Sequence, residues 1–231
     1  MCGRNVKQDT YVTESGEKIT FSFFGHASLG IKYEGCMIYI DPVTEYIGNP
    51  KKLPKADAIL ITHSHEDHFD AEAIKALMGA ETVIYCDSTT STLMPEGTTM
   101  IVRPNDTFNV DGIDVTTVAA YNTTDGHLDY HPRLRKDVGY VLSMGGSNVY
   151  VAGDTEPTVE MKHLHNIDVA FLPVNQPYTM TEEQASTALH ELRPRVFYPY
   201  HYGQTESRTD LDKLRSLIAD TDIDMRVEPM E

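Results

Sequence analysis

The chain has 231 residues, 40% of them hydrophobic and 23% charged, which is ordinary globular usage and excludes a disordered or fibrous protein. Its 35 acidic against 19 basic residues give a formal charge of −16, which argues against nucleic acid and anionic membrane surfaces as partners. No apolar run reaches the roughly 18 residues of a membrane helix. The N-terminus shows no signal peptide. The longest basic cluster, Arg133–Lys136, reads as a solvated loop. Cys2, Cys36 and Cys86 are odd in number and form no CxxC pair, which suits reduced thiols and a cytoplasmic location.

In chain order, Met1–Lys18 is polar and is expected to be an N-terminal extension that frays or lies over the surface. Residues 19–231 are expected to form one domain. Three short β-type runs follow at 19–24 (ITFSFF), 28–33 (SLGIKY) and 36–40 (CMIYI), punctuated by Gly25 and Gly35, as in an antiparallel meander. The continuous apolar run at 57–62 (DAILIT) predicts a strand buried on both faces. A helix is expected after it, with Asp70 as N-cap and Gly79 as stop. Further strands are expected at 82–86, 114–120, 138–144, 148–153, 168–174 and 195–200. Two helices fall late. One opens on the capping-box pattern Thr181-x-x-Gln184 and ends before Pro194, and the other covers 211–219. Many strands without a pure βαβ rhythm predict two packed sheets covered by helices.

The chemistry is concentrated in THSHEDHFD, Thr62–Asp70. On a helix His63 and Asp67 share a face while His65 and His68 point away from it; on a strand His68 opposes the other three. Neither element aims all four side chains at one metal. A loop at the end of a buried strand, where α/β proteins place their sites, could present them as two pairs for two neighbouring metals.

The H-x-H-x-D-H pattern after an apolar strand resembles the signature of the metallo-β-lactamase-fold hydrolases. The segments FGHASLGI (24–31), YIDPV (39–43), VYVAGDTE (149–156), DVAFLPV (168–174), YTMTEEQA (178–185) and YPYHYG (198–203) carry the likeness over residues 19–203. Their GHAS, GDT and TM elements are similar to the small branch with lactonase-like and phosphodiesterase-like members. The resemblance implies a four-layer αββα sandwich, two packed mixed sheets with helices on the outer faces.

It also implies a ligand set. His63 and His65 would hold one metal, Asp67 and His68 a second, with Asp154 bridging and His201 completing the second site. A carboxylate suits the bridge because its two oxygens can span ions roughly 3.5–4 Å apart. The remaining ligand would come from residues 121–139, where both His127 and His131 are available, and the His-Pro pattern favours His131. The compact AxHxS motif of relatives is absent there. His26 is a candidate to orient a ligand or touch substrate. Asp41 is a candidate to hydrogen-bond a metal-bound His. Tyr121, Asn122 and Tyr178 are candidate substrate contacts. His163, His165 and His190 have no counterpart and read as surface residues.

Such a donor set favours two Zn²⁺, with Mn²⁺ or Fe²⁺ as alternatives. Two cations would share a water and lower its pKa toward neutrality, making a bridging hydroxide for attack on a carbonyl or phosphoryl centre, with Asp67 relaying a proton. The expected activity is hydrolysis of a small-molecule ester, lactone, amide or phosphodiester. A nuclease of the same fold and a non-catalytic metal-binding sensor are the alternatives. A homo-oligomer is left open.

Overall fold

The computed structural model describes residues 6–95, 97–203 and 207–231. Among them, fourteen strands form two seven-stranded sheets. The first runs, edge to edge, β1 (Lys7–Val12), β2 (Lys18–Gly25), β3 (Ser28–Tyr33), β4 (Cys36–Ile40), β5 (Ala56–Leu60), β6 (Met78–Cys86) and β7 (Thr99–Ile101). The second runs β8 (Thr107–Val110), β9 (Ile113–Ala119), β10 (Val138–Met144), β11 (Ser147–Val151), β12 (Val169–Pro173), β13 (Val196–Tyr200) and β14 (Asp224–Met225).

Each sheet comes from one contiguous half of the described chain, and the two halves share a pairing pattern. The first three neighbouring pairs are antiparallel in both sheets. The last three are parallel in both. Antiparallel neighbours need only tight turns, whereas each parallel step needs a crossover. The crossovers hold α1 (Thr44–Ile47), α2 (Ala71–Leu77) and α3 (Ser88–Ser91) in the first half. In the second they hold α4 (Val159–Lys162), α5 (Glu182–Leu192) and α6 (Leu211–Leu217).

The sheets pack face to face through a core in which Phe21 and Phe23 of β2 meet Phe171 of β12 and Tyr198 of β13. Ring centroids are 5.3 Å apart for Phe21–Phe171 and 5.2 Å for Phe23–Tyr198. Central strands are buried on both faces, as their unbroken apolar runs require. In β12, Val169 and Phe171 face the other sheet while Ala170 and Leu172 face the helices. In β5, Ala58 and Leu60 turn inward and Ile59 turns toward Ala73, Ile74 and Leu77 of α2. This is the expected sandwich with helices outside.

Three local expectations are corrected. Residues 7–12, expected in a loose extension, pair with β2 over their full length as β1, and Tyr11 of β1 is buried in the core. Gly79 does not stop α2: the helix ends at Leu77, Met78 is already extended, and Gly79 lies inside β6. That strand starts four residues before its apolar part at 82–86. The capping box of α5 forms as expected, with Thr181 Oγ1 accepting from Gln184 N and Gln184 Oε1 accepting from Thr181 N.

Candidate metal centre

The site sits where strands end. The loop after β5 carries His63, His65, Asp67 and His68. Asp41 follows β4, Asp154 follows β11, His201 follows β13, and His131 lies in the long β9–β10 connection. His26, Asp41 and His201, each one residue beyond its strand, have positive φ of 52°, 46° and 49°. Asp and His tolerate this region better than most residues, and it turns the side chain sharply off the strand toward the sheet's end.

The potential ligand atoms fall into two groups. His63, His65 and His131 form one; Asp67, His68, His201 and His26 form the other. Asp154 stands between them. Its Oδ2 is 3.3 Å from His131 Nε2, 3.9 Å from His63 Nε2 and 3.2 Å from His201 Nε2. Its Oδ1 is 3.3 Å from His68 Nε2. Asp67 Oδ2 reaches His201 Nε2 at 3.4 Å and His26 Nε2 at 3.0 Å.

Whether these residues suit metal ions can be judged from their unused atoms. His68 Nε2, His131 Nε2, His201 Nε2 and Asp154 Oδ1 are all buried without a hydrogen-bond partner. Buried polar atoms are nearly always paired, so four converging exceptions form a donor set that could hold a cation. The opposite ring nitrogens are held in place. His68 Nδ1 donates to Asp41 Oδ2 at 2.7 Å, and His131 Nδ1 donates to Asn122 Oδ1 at 2.8 Å. Asp41, fully buried, also accepts from Thr62 N at 2.8 Å and Thr62 Oγ1 at 2.6 Å. The Asn175 amide lies 3.4 Å from His201 Nδ1. Such anchored rings present a fixed lone pair to an ion.

The electrostatics divide the cluster. Burial would raise the Asp154 carboxyl, but the His201 and His68 imidazoles overcome this and hold it well below the usual carboxylate range. Burial would lower His201, but the Asp154 and Asp67 carboxylates raise it to about 9. His65 is lowered to about 4, first by burial and then by Arg135 and His131. His63 is also pushed well down by burial and by its imidazole neighbours. Asp67 is lowered despite its partial burial, because the His201 imidazole lies close to it and His26 hydrogen-bonds to it.

Other expected residues lie elsewhere. His127 turns from the cluster toward Glu156, Nδ1 to Oε1 3.3 Å. Tyr121, expected as a substrate contact, donates to Glu160 Oε2 at 2.7 Å and lies under Arg133, so its phenol is directed away from the site. Asn122, also expected at the substrate, holds His131 and donates to Tyr178 O at 2.8 Å. Tyr178 does line the cavity. His163 and His165 are exposed, and His190 packs against Asp220. The 133–136 segment is no plain solvated loop, since Arg135 Nη1 stands 2.6 Å from His65 Nε2. Sequence reasoning missed Arg135, Asn175, Asp129 and Tyr130. Of these only Asn175 carried a signal, its position just past a buried strand.

The centre opens into a cavity of about 340 Å³ lined by His65, Asp67, Asp129, Tyr130, His131, Asp154, Tyr178 and His201. That volume holds a small molecule rather than a polymer.

Comparison with known proteins agrees with this architecture. The family described as the beta-lactamase superfamily domain matches residues 20–201. A UPF0173 metal-dependent hydrolase of Methanopyrus kandleri is 32% identical over 203 residues, covering 79% of this chain and 83% of the relative. Another from Thermococcus onnurineus is 33% identical over 211 residues, covering 86% and 91%. Among solved structures, a Parabacteroides distasonis protein named as a metal-dependent hydrolase superposes with a TM-score of 0.90 at 41% identity, covering 98% of this chain and 100% of that one. Igni18, a metallo hydrolase of Ignicoccus hospitalis, gives a TM-score of 0.73 at 26% identity, covering 92% and 96%. The chain therefore belongs to the metallo-β-lactamase superfamily and, within it, to the UPF0173 metal-dependent hydrolases.

Proposed function

We propose that this chain is a dinuclear metal-dependent hydrolase of a small molecule carrying an ester, lactone, amide or phosphodiester bond. The observation that supports it most is the convergence of unpaired buried atoms from His131, His201 and Asp154 at the floor of the cavity, with His68 Nε2 behind them 3.3 Å from Asp154 Oδ1. His63, His65 and His131 would hold one ion, Asp67, His68 and His201 the other, and Asp154 both. Zn²⁺ suits this imidazole-rich set, and Mn²⁺ or Fe²⁺ is accommodated by its carboxylates. When bound, two such ions supply Lewis acidity and a water acidified toward neutral pH.

The remaining work belongs to the chain. The walls and the buried ligands exclude bulk water and fix the ion positions. Asp67, 39% exposed at its side chain, faces the cavity and can accept a hydrogen bond from the attacking water. Its lowered pKa suits an acceptor that orients this water and passes its proton on, more than a base that keeps it. For an ester, the water oxygen joins the carbonyl carbon, the C–O bond to the alcohol breaks, and the alcohol leaves with one of the water's protons.

A nuclease is the weaker reading, because neither Lys nor Arg lines the cavity among the described residues and the chain carries a charge of −16. Cys36 and Cys86 are buried free thiols, which supports a reducing, cytoplasmic setting. Among the described residues no helix is long and apolar enough to cross a membrane. The test is a panel of esters, lactones, amides and phosphodiesters run with metal-depleted and metal-restored protein. Metal-restored turnover on one class supports the reading. Two bound ions with no turnover on any class would favour the sensor instead.

A further inference from the structure

The outer part of the cavity differs from its floor. Asp129, Tyr130 and Tyr178 line it, on two loops separated in sequence. The Tyr130 and Tyr178 rings meet edge to face, with centroids 4.9 Å apart and planes at 75°, so they make two walls of a corner. Tyr178 is 41% exposed, an unusual state for an aromatic that only packs. Asp129 is exposed beside them, and no hydrogen bond or ion pair among the described residues engages its carboxylate. The arginines of the same loop are committed elsewhere: Arg133 to Glu160 at 2.7 Å and Arg135 to His65. Two aromatic faces at right angles, with a free carboxylate as the third side, suit a cation. The chain's overall negative charge draws cations toward this mouth.

We propose that Asp129, Tyr130 and Tyr178 bind the positively charged end of the substrate, an alkylammonium group attached to the ester, amide, lactone or phosphodiester cleaved at the cavity floor. This rests on the hydrolase reading above. Charge then runs along the pocket in one sense: the cationic end lies at the mouth, and the carbonyl or phosphoryl oxygen that carries negative charge lies at the metal centre. The subsite therefore selects substrates that carry a cationic group apart from the scissile bond.

The test compares acetylcholine with its neutral isostere, in which carbon replaces the quaternary nitrogen. The first readout is the ratio of their kcat/KM values in metal-loaded protein. A ratio of about ten in favour of the cationic ester is expected from a cation–aromatic contact. Asp129→Asn should bring the ratio toward one, and Asp129→Lys should invert it. Asp129 is exposed, so neither change threatens folding. The second readout needs no turnover: calorimetric binding of choline to metal-free protein, expected to weaken about tenfold in Asp129→Asn and in Tyr178→Ala. Equal kcat/KM values for the two esters overturn the subsite and leave the hydrolase reading intact. Cleavage of neither ester, with choline binding that depends on Asp129, keeps the subsite and counts against ester hydrolysis. Choline binding that is absent or indifferent to Asp129 overturns the subsite.

Discussion

Arg135 Nη1 stands 2.6 Å from His65 Nε2, and because a guanidinium can only donate, this contact sets the direction of a whole hydrogen-bond chain. His65 Nε2 accepts, so its proton sits on Nδ1 and is donated to His63 Nε2 at 3.1 Å. His63 Nδ1 donates to Thr62 Oγ1 at 3.0 Å, and Thr62 donates to Asp41 at 2.6 Å. A metal at His63 and His65 needs the Nδ1 lone pair, so the His65 proton must move to Nε2, where it opposes Arg135. Arg135 would therefore disfavour a metal at His63 and His65. Arg135→Ala should tighten binding at that site by about tenfold, the scale of outer-sphere effects on metal affinity, as read by chelator competition. Weaker binding in the variant would show that Arg135 supports the site instead.

Asp41 is the shared acceptor for His68 and Thr62 and is fully buried. Replacing it with Asn keeps the size but puts an amide donor or a weaker acceptor against His68 Nδ1. Metal affinity at the second site should fall about 10–100-fold in Asp41→Asn, with a folded chain by circular dichroism. An unchanged affinity would mean that His68 is oriented by packing alone.

His131 and His127 compete for one role. His131 Nε2 is 3.3 Å from Asp154, whereas His127 is turned to Glu156. His131→Ala should cost one bound metal per chain by elemental analysis, and His127→Ala none. The opposite pattern would require the 122–131 loop to rearrange on metal binding.

Asp137 gives a pH dependence to stability. Both of its oxygens are buried without a hydrogen bond; Arg135 Nε lies at 3.3 Å but not in hydrogen-bond geometry. Burial raises its carboxyl to about 7, more than Arg135 lowers it. The folded state thus holds a proton that the unfolded chain releases at about pH 3.9, so this contribution is complete below that pH and is lost as pH rises through 7. The loss is of the order of 2–4 kcal/mol. Denaturant unfolding of Asp137→Asn should show a flatter profile than the parent between about pH 4 and about pH 7. Parallel profiles would place the charged carboxylate in a solvated state.

The central part of this fold was legible because buried strands announce themselves as apolar runs. The four strands that sequence reasoning passed over are β1, β7, β8 and β14, which are the four edges of the two sheets. An edge strand is short or half-exposed, so its pattern carries little signal: β14 is two residues long, and β7 is TMI with Met100 and Ile101 exposed. Gly79 misled because a glycine after a helical run usually ends it, while here Met78 had already turned into β6. At the site, the ligand-type residues stood out by crowding and by position at strand ends. Arg135, Asn175, Asp129 and Tyr130 did not, because their roles come from where two distant loops meet, and no local periodicity encodes that meeting.

In the proposed centre Asp154 joins two metal ions. Anomalous scattering from crystals of the metal-restored protein tests it most directly. Two ions per chain are expected, roughly 3.5–4 Å apart, each bound to one oxygen of Asp154. One ion would contradict it, as would two ions with Asp154 bound to neither or to only one.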